Sequence, residues 1–120
     1  MAKLVNNLLV ATHLAVAGEA LRLGALAGVA PEALLPVVNA ASGRSAATEV
    51  NFPRWILSGA FDSGFSAGLM RKDVGLALDL ARAVGAELPA CSAAAARWAR
   101  DSLPAAADFN RLPAAILAEG

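Results

Sequence analysis

An apolar segment near the start of the chain, from residue 3 to about residue 27, constrains the fold more than any other feature. Its apolar residues recur at helical spacing on nearly every face, which is typical of a helix that other elements surround. Gly28 marks the end of the segment, because glycine readily adopts the left-handed conformation that closes a helix. The sequence therefore predicts a long, buried central helix around which the rest of the chain packs.

The same segment is almost long enough to cross a membrane. His13, Glu19 and Arg22 interrupt it and three glycines dilute it, so we expect a buried helix and no membrane contact. The start Met-Ala-Lys has no extended basic region, and no small-residue cleavage pattern clearly ends the apolar run. We therefore expect a cytoplasmic protein.

Turn-forming residues divide the remainder of the chain into five shorter helices. No run alternates with period two for long enough to predict a strand, and 120 residues fit one domain. The predicted helices are residues 31–40, residues 45–57 with a kink or break at Pro53, residues 66–84, residues 89–102 and residues 105–117. The predicted fold class is all-α, a single domain of about six helices around a long central helix.

The helix at residues 66–84 follows a glycine-containing loop, residues 58–64, that delivers Phe65 to its start. Its apolar residues form one stripe at helical spacing, with Asp73 on another part of the helix. The stripe consists of Leu69, Leu76, Leu80 and Val84.

Composition limits the partners of this chain. Apolar residues make up 58% and charged residues 17%, which predicts a surface that associates, and we expect a homo-oligomer. Ten basic and ten acidic side chains cancel without a concentrated patch, so no nucleic-acid partner is expected. One cysteine, Cys91, and one histidine, His13, are too few for a dedicated metal site.

Two polar residues stand at the head of the long helix. Lys3 and Asn7 are four residues apart and share a helix face, so they can present a proton-transferring group and an orienting group to one small substrate. The simpler alternative is a solvated lysine in a frayed first turn. His13 lies alone on an apolar helix and is expected to be packed rather than functional.

Several short segments follow one another in a characteristic order. They are Lys3-Leu-Val-Asn6-Asn7, Gly18-Glu19-Ala20 with Gly28-Val29, Ser42-Gly43-Arg44-Ser45, Phe61-x-x-Gly64-Phe65, Lys72-Asp73-Val74-x-Leu76-Ala77 and Gly85-Ala86-Glu87-Leu88-Pro89. This ordered set resembles the C-terminal domain of the β-hydroxyacid dehydrogenases, the group that contains 3-hydroxyisobutyrate dehydrogenase. A more distant relative of that group is 6-phosphogluconate dehydrogenase, whose C-terminal domain has the same helical fold class.

The resemblance implies roles for individual residues. Lys3 is the expected catalytic lysine, since a neutral amine can take the hydroxyl proton of a substrate while hydride leaves the adjacent carbon. Asn7, Phe65 and Asp73 are expected to bind or surround the substrate, and Lys72 is expected to reach the cofactor, NAD or NADP. The alternatives are ordinary surface charges and an ordinary core phenylalanine.

The family's glycine-rich nucleotide turn is missing from this sequence. The isolated chain is therefore expected to be inactive and to bind neither NAD nor NADP unless a Rossmann domain is supplied in cis or in trans. Two hypotheses follow: residues 1–120 are the C-terminal substrate and dimerisation domain of an oxidoreductase for a small β-hydroxy acid or its semialdehyde, or they are a noncatalytic oligomerisation module or split-enzyme subunit. Arg44 and Arg71 are open candidates for binding a carboxylate.

Overall fold

The computed structural model describes residues 1–119 and contains six helices, which confirms the all-α prediction. Within this range the only extended pairing is an isolated antiparallel bridge between Ser66 and Asp108. The helices are α1 (Ala2–Leu26), α2 (Pro31–Asn39), π1 (Ala47–Ile56), α3 (Ala67–Ala83), α4 (Pro89–Arg100) and α5 (Arg111–Leu117).

Helix α1 is central, as predicted, because it contacts all five other helices. It is not buried all round, however, and this part of the prediction is wrong. One face is buried and the opposite face is left open, since five packed elements cover only one side of α1. The buried residues are Ala11, Leu14, Ala15, Ala17, Gly18 and Leu21. By length and composition alone α1 could also cross a bilayer, and a third of its most apolar window is buried within the protein.

Pro53 does not end the third helix. It lies inside π1, in which the backbone winds more widely than in an α-helix. Proline has no N–H for the carbonyl of Thr48 five residues earlier, and the side-chain amide of Asn39 donates to that carbonyl at 2.9 Å instead. The expected kink or break is thus a local widening, compensated by a donor from α2.

Helix α3 begins where the sequence predicts, because the Ser66 hydroxyl accepts a hydrogen bond from the N–H of Leu69. Gly85, with φ 72°, lies just beyond its end. The predicted apolar stripe does not face the core, since Leu69 and Leu76 are exposed by 49% and 43%. The buried face carries smaller side chains and one carboxylate, which allows α3 to pack closely on α1 and α4. Its residues are Ala67, Met70, Asp73, Val74, Ala77 and Ala81.

The last helix begins six residues later than predicted, at Arg111. Residues 105–109 instead pair with the start of α3: the N–H of Ala67 donates to the carbonyl of Ala107 at 2.8 Å, and that of Gly68 donates to Ala105 at 3.0 Å. These tertiary hydrogen bonds outweigh the helical tendency of the alanines. Pro113 is the third residue of α5. The N–H groups of a helix's first turn have no acceptor within the helix, so a proline, which has no N–H, fits at this position.

Trp98 fixes α4 to α1. Its side chain is fully buried, its ring stacks on Phe109 with centroids 6.5 Å apart, and its indole N–H donates to the carbonyl of Ala11 at 3.0 Å. A buried indole normally finds such an acceptor. Trp98 is therefore a core residue.

Candidate functional site

The first turn of α1 and the second turn of α3 meet at a polar cluster formed by Lys3, Asn7 and Asp73. The Lys3 ammonium Nζ lies 3.9 Å from Asp73 Oδ2, and the Asn7 amide Nδ2 donates to the same oxygen at 2.6 Å. The spacing of Lys3 and Asn7 places both on the side of α1 that faces α3. The structure thus brings together three of the five residues singled out from the sequence.

Exposure differs sharply within this polar cluster. The Asp73 side chain is 9% exposed whereas that of Lys3 is 73% exposed. A buried carboxylate needs compensating partners, and Asn7 and Lys3 are the ones that Asp73 has. The carboxylate therefore anchors the base of the cluster while the ammonium remains accessible to a ligand from outside.

Asn6 is a member of this cluster that sequence reasoning did not assign. Its amide Nδ2 donates to Asn7 Oδ1 at 3.2 Å. Because Asn7 accepts this bond through its oxygen, its nitrogen is turned towards Asp73. The only signal in the sequence is the Asn-Asn pair itself, which shows no direction for either side chain.

Lys72 directly precedes Asp73 on α3. Lys72 is exposed, whereas Asp73 is buried. Successive helix residues point about 100° apart, so the two side chains leave the helix in different directions. Within residues 1–119 no ion pair involves Lys72. This cation is therefore available beside the cluster without being part of it.

Phe65 lies elsewhere. It precedes α3 and packs edge-on against Phe109, with ring centroids 5.1 Å apart, and it lines a pocket of about 310 Å³ with Phe61 and Asp108. Among residues 1–119 no hydrogen bond or ring contact joins Phe65 to Lys3 or Asn7, and its expected role at the substrate stays a prediction.

Asp108 holds the wall of this second pocket together. One oxygen accepts from the N–H and the hydroxyl of Ser63 at 2.8 and 2.5 Å, and the other accepts from the N–H of Asn110 at 2.9 Å. Burial alone would raise the pKa of Asp108, but these hydrogen bonds outweigh it, so the pKa lies below its ordinary value of 3.8. Asp108 is thus a charged structural anchor.

The two arginine candidates, Arg71 and Arg44, lie in different surroundings. The Arg71 guanidinium donates to the carbonyls of Trp98 at 3.1 Å and Leu103 at 2.8 Å and lies 3.9 Å from the Asp101 carboxylate, so it fastens the end of α4. Arg44 is largely exposed and lines a pocket of about 350 Å³ with His13 and Val16. His13, to which the sequence gave no role, is half-buried at this pocket and has no hydrogen bond to residues 1–119.

A family model described as NAD-binding of NADP-dependent 3-hydroxyisobutyrate dehydrogenase matches residues 1–113. The chain is 41% identical over 87 residues to 2-(hydroxymethyl)glutarate dehydrogenase of Eubacterium barkeri, a match that covers 72% of this chain and 29% of that protein. It is 38% identical over 92 residues to L-threonate dehydrogenase of Cupriavidus necator, covering 77% and 31% of the two chains. The chain thus spans about a third of the length of these curated relatives.

A solved structure supports the fold. The 3-hydroxyisobutyrate dehydrogenase of Mycobacterium tuberculosis, determined with L-serine, matches with a TM-score of 0.87 and 32% identity. The match covers 98% of this chain and 43% of the other. The same helical arrangement therefore forms part of a larger protein in that structure.

Proposed function

The chain belongs to the family of NAD-binding domains of NADP-dependent 3-hydroxyisobutyrate dehydrogenase, and we propose that it is the C-terminal catalytic and dimerising domain of such an enzyme. The proposed reaction interconverts a small β-hydroxy acid and its semialdehyde with NAD or NADP. The cluster of Lys3, Asn7 and Asp73 carries this proposal, because it combines an accessible amine with a buried carboxylate 3.9 Å away.

Lys3 is the proposed proton-transferring group. In the oxidative direction its neutral amine takes the hydroxyl proton of the substrate, and in the reductive direction its ammonium returns a proton to the carbonyl oxygen. Asp73 keeps the amine in place from the buried side. Asn7 orients Asp73 through its 2.6 Å hydrogen bond, and its second amide hydrogen remains free to meet a substrate oxygen.

The nicotinamide cofactor supplies the hydride acceptor or donor when it is bound. In this chain Lys72 fits a cofactor phosphate, because its exposed cation lies next to Asp73 and is free of ion pairs to residues 1–119. One lysine holds only an edge of a dinucleotide. The remaining contacts are therefore assigned to a Rossmann domain, in cis or in trans, and the isolated chain is proposed to be inactive.

The relatives support a substrate class rather than one substrate. Those compared above are named for 2-(hydroxymethyl)glutarate, L-threonate and 3-hydroxyisobutyrate, which are all hydroxy acids. A compact proton-transferring cluster suits any of them, because it addresses the hydroxyl group that they share. We propose a small hydroxy acid of this class.

The test is a fusion of this chain to the remaining part of the M. tuberculosis enzyme. The fusion should reduce NAD or NADP with at least one of the three hydroxy acids, while the isolated chain should not. Lys3→Met should lower kcat by about 100-fold or more, because a general acid-base group typically contributes 10² to 10⁴. Lys72→Met should instead raise KM for the cofactor with a smaller change in kcat.

Arg100→Met is the matched control, since Arg100 is an exposed cation on α4, outside the polar cluster. It should leave both kinetic constants unchanged. An active fusion in which Lys3→Met retains full kcat would overturn the catalytic role and favour the noncatalytic oligomerisation module.

A further inference from the structure

A pocket of about 570 Å³ lies between α2 and π1. The wide turns of π-helices occur frequently at functional sites. The α2 wall of this pocket consists of residues three and four positions apart, which places them on one face of that helix. They are Glu32, Leu35, Pro36 and Asn39, and π1 with its end contributes Pro53, Leu57 and Ser58. Lys3, Asn7 and Asp73 do not line the pocket, so it is separate from the proposed active site.

Two prolines in the walls withdraw hydrogen-bond donors from this pocket. Pro36 lies inside α2 and has no N–H for the carbonyl of Glu32, four residues earlier. Pro53 has the same effect in π1, where the side-chain amide of Asn39 bonds the carbonyl of Thr48 instead. This bond uses the nitrogen of Asn39 and leaves its oxygen Oδ1 buried without a donor among residues 1–119.

The pocket has a charge of one sign. The Glu32 carboxylate is exposed and forms no ion pair or hydrogen bond within the described part of the chain. No lysine, arginine or histidine of residues 1–119 lines the pocket, and the guanidinium of the nearby Arg54 lies over the Trp55 ring. The hydroxyl of Ser58 already donates to the carbonyl of Arg54 at 2.6 Å. The pocket therefore offers acceptors and a negative charge, which attract a cation and repel a carboxylate.

The acceptors lie at two ends of an apolar middle. Glu32 and Asn39 are seven residues apart, or about 10.5 Å along the axis of α2. Pro36 lies between them on the same face, and Pro53 and Leu57 add apolar surface from the side of π1. A ligand with a cation at each end and an apolar chain between them matches this order of groups.

We propose that this pocket binds an aliphatic diamine. One ammonium group donates to the Glu32 carboxylate and to the carbonyl that Pro36 leaves without its helical donor. The methylene chain covers Pro36 and Pro53, and the second ammonium donates to Asn39 Oδ1. A buried acceptor without a donor is costly, so this second bond is favoured even though side chains at the pocket must shift to admit the ligand.

Isothermal titration calorimetry of the 120-residue chain with cadaverine, a five-carbon diamine, tests the proposal. One diamine should bind per chain, and the NMR signals of the Asn39 side-chain amide should shift on binding. Pentylamine has the same carbon chain but one ammonium, as a lysine side chain of another protein has, so it should bind at least about tenfold more weakly. Pentanoate should not bind, because the Glu32 carboxylate repels it.

A charge-removing substitution tests the Glu32 end of the pocket. Glu32→Gln keeps the shape of the side chain and should raise the Kd for cadaverine about tenfold. Glu87→Gln is the matched control and should bind cadaverine like the wild type, since Glu87 is also exposed but lies outside this pocket. Circular dichroism checks that both variants are folded. A chain that does not bind cadaverine, equal binding of pentylamine, or an unchanged Kd in Glu32→Gln would each overturn the proposal.

Discussion

Asp73, within α3, and Asp108, shortly before α5, are both carboxylates shielded from solvent, the first buried and the second half-buried, yet their bonding differs. Asp108 accepts three hydrogen bonds that occupy both of its oxygens. Asp73 accepts one hydrogen bond, from Asn7, and faces the exposed ammonium of Lys3 through the same oxygen. Both oxygens of Asp108 are therefore hydrogen-bonded within the fold, whereas the partners given for Asp73 share one of its oxygens, Oδ2.

This difference separates a structural carboxylate from a functional candidate. The donors to Asp108 come from Ser63 and Asn110, so the carboxylate ties the loop before α3 to the segment before α5. The partners of Asp73 are side chains at the accessible end of α1. A ligand can displace or join them without breaking the backbone packing of the domain.

The largest effect on folding is expected at Asp108. Asp108→Ala removes three hydrogen bonds to a charged group and should lower the free energy of unfolding by about 2–3 kcal/mol. Urea unfolding followed by circular dichroism measures it. A loss below that of Asp73→Ala would reverse the proposed difference between the two carboxylates.

The lowered pKa of Asp108 makes part of the stability depend on pH. Its stabilisation is present above the ordinary pKa of 3.8 and is lost as the pH falls through the lower pKa of the folded state. Stability of the wild-type chain should therefore decline more steeply in this acidic range than that of Asp108→Asn. Urea midpoints between neutral pH and pH values below 3.8 measure the difference, and parallel profiles would contradict it.

Asp73→Ala should affect folding less than function. The substitution removes the hydrogen bond from Asn7 and the carboxylate that faces Lys3. The free energy of unfolding should fall by about 1 kcal/mol, because water can solvate the exposed Lys3 ammonium in place of the carboxylate. In the fusion enzyme described above, the same change should lower kcat/KM by at least about tenfold, because the amine loses its anchor. A fully active Asp73→Ala fusion would remove Asp73 from the site.

The smallest effect is expected at Asn6, which is exposed and whose side-chain amide donates to the side chain of Asn7. Asn6→Ala should change stability by a few tenths of a kcal/mol, as is usual for surface substitutions. It should still reduce kcat of the fusion measurably, since the Asn7 amide loses the contact that orients it. Asn6→Asp, which can no longer donate to Asn7, should behave in the same way, and wild-type kcat in both variants would exclude an orienting role.

Much of the helical framework could be predicted because its signals are local. Ser66 caps α3 through its own hydroxyl, Gly85 follows the end of α3 with positive φ, and Pro31 and Pro89 begin helices whose first N–H groups need no partner. The four-residue spacing of Lys3 and Asn7 likewise fixes their common face once α1 is helical. These features depend only on neighbours along the chain.

Other features depend on segments distant in sequence, and only the tertiary structure decided them. Helix α5 starts late because residues 105–109 bond to the start of α3, and π1 accommodates Pro53 because Asn39 reaches across from α2. The wrong stripe of α3 was predicted because hydrophobic size alone does not show that small residues permit closer packing on α1.

The same division applies to the candidate site and to the open face of α1. The sequence by itself determined that α1 is a long helix with Lys3 and Asn7 at its head and apolar residues at helical spacing along its length. The tertiary structure decided that Asp73 meets Lys3 and that the face around Val16 is left uncovered. The physical reason is that helix formation is governed by local hydrogen bonds and spacing, whereas the choice of buried face depends on which distant surfaces fit together.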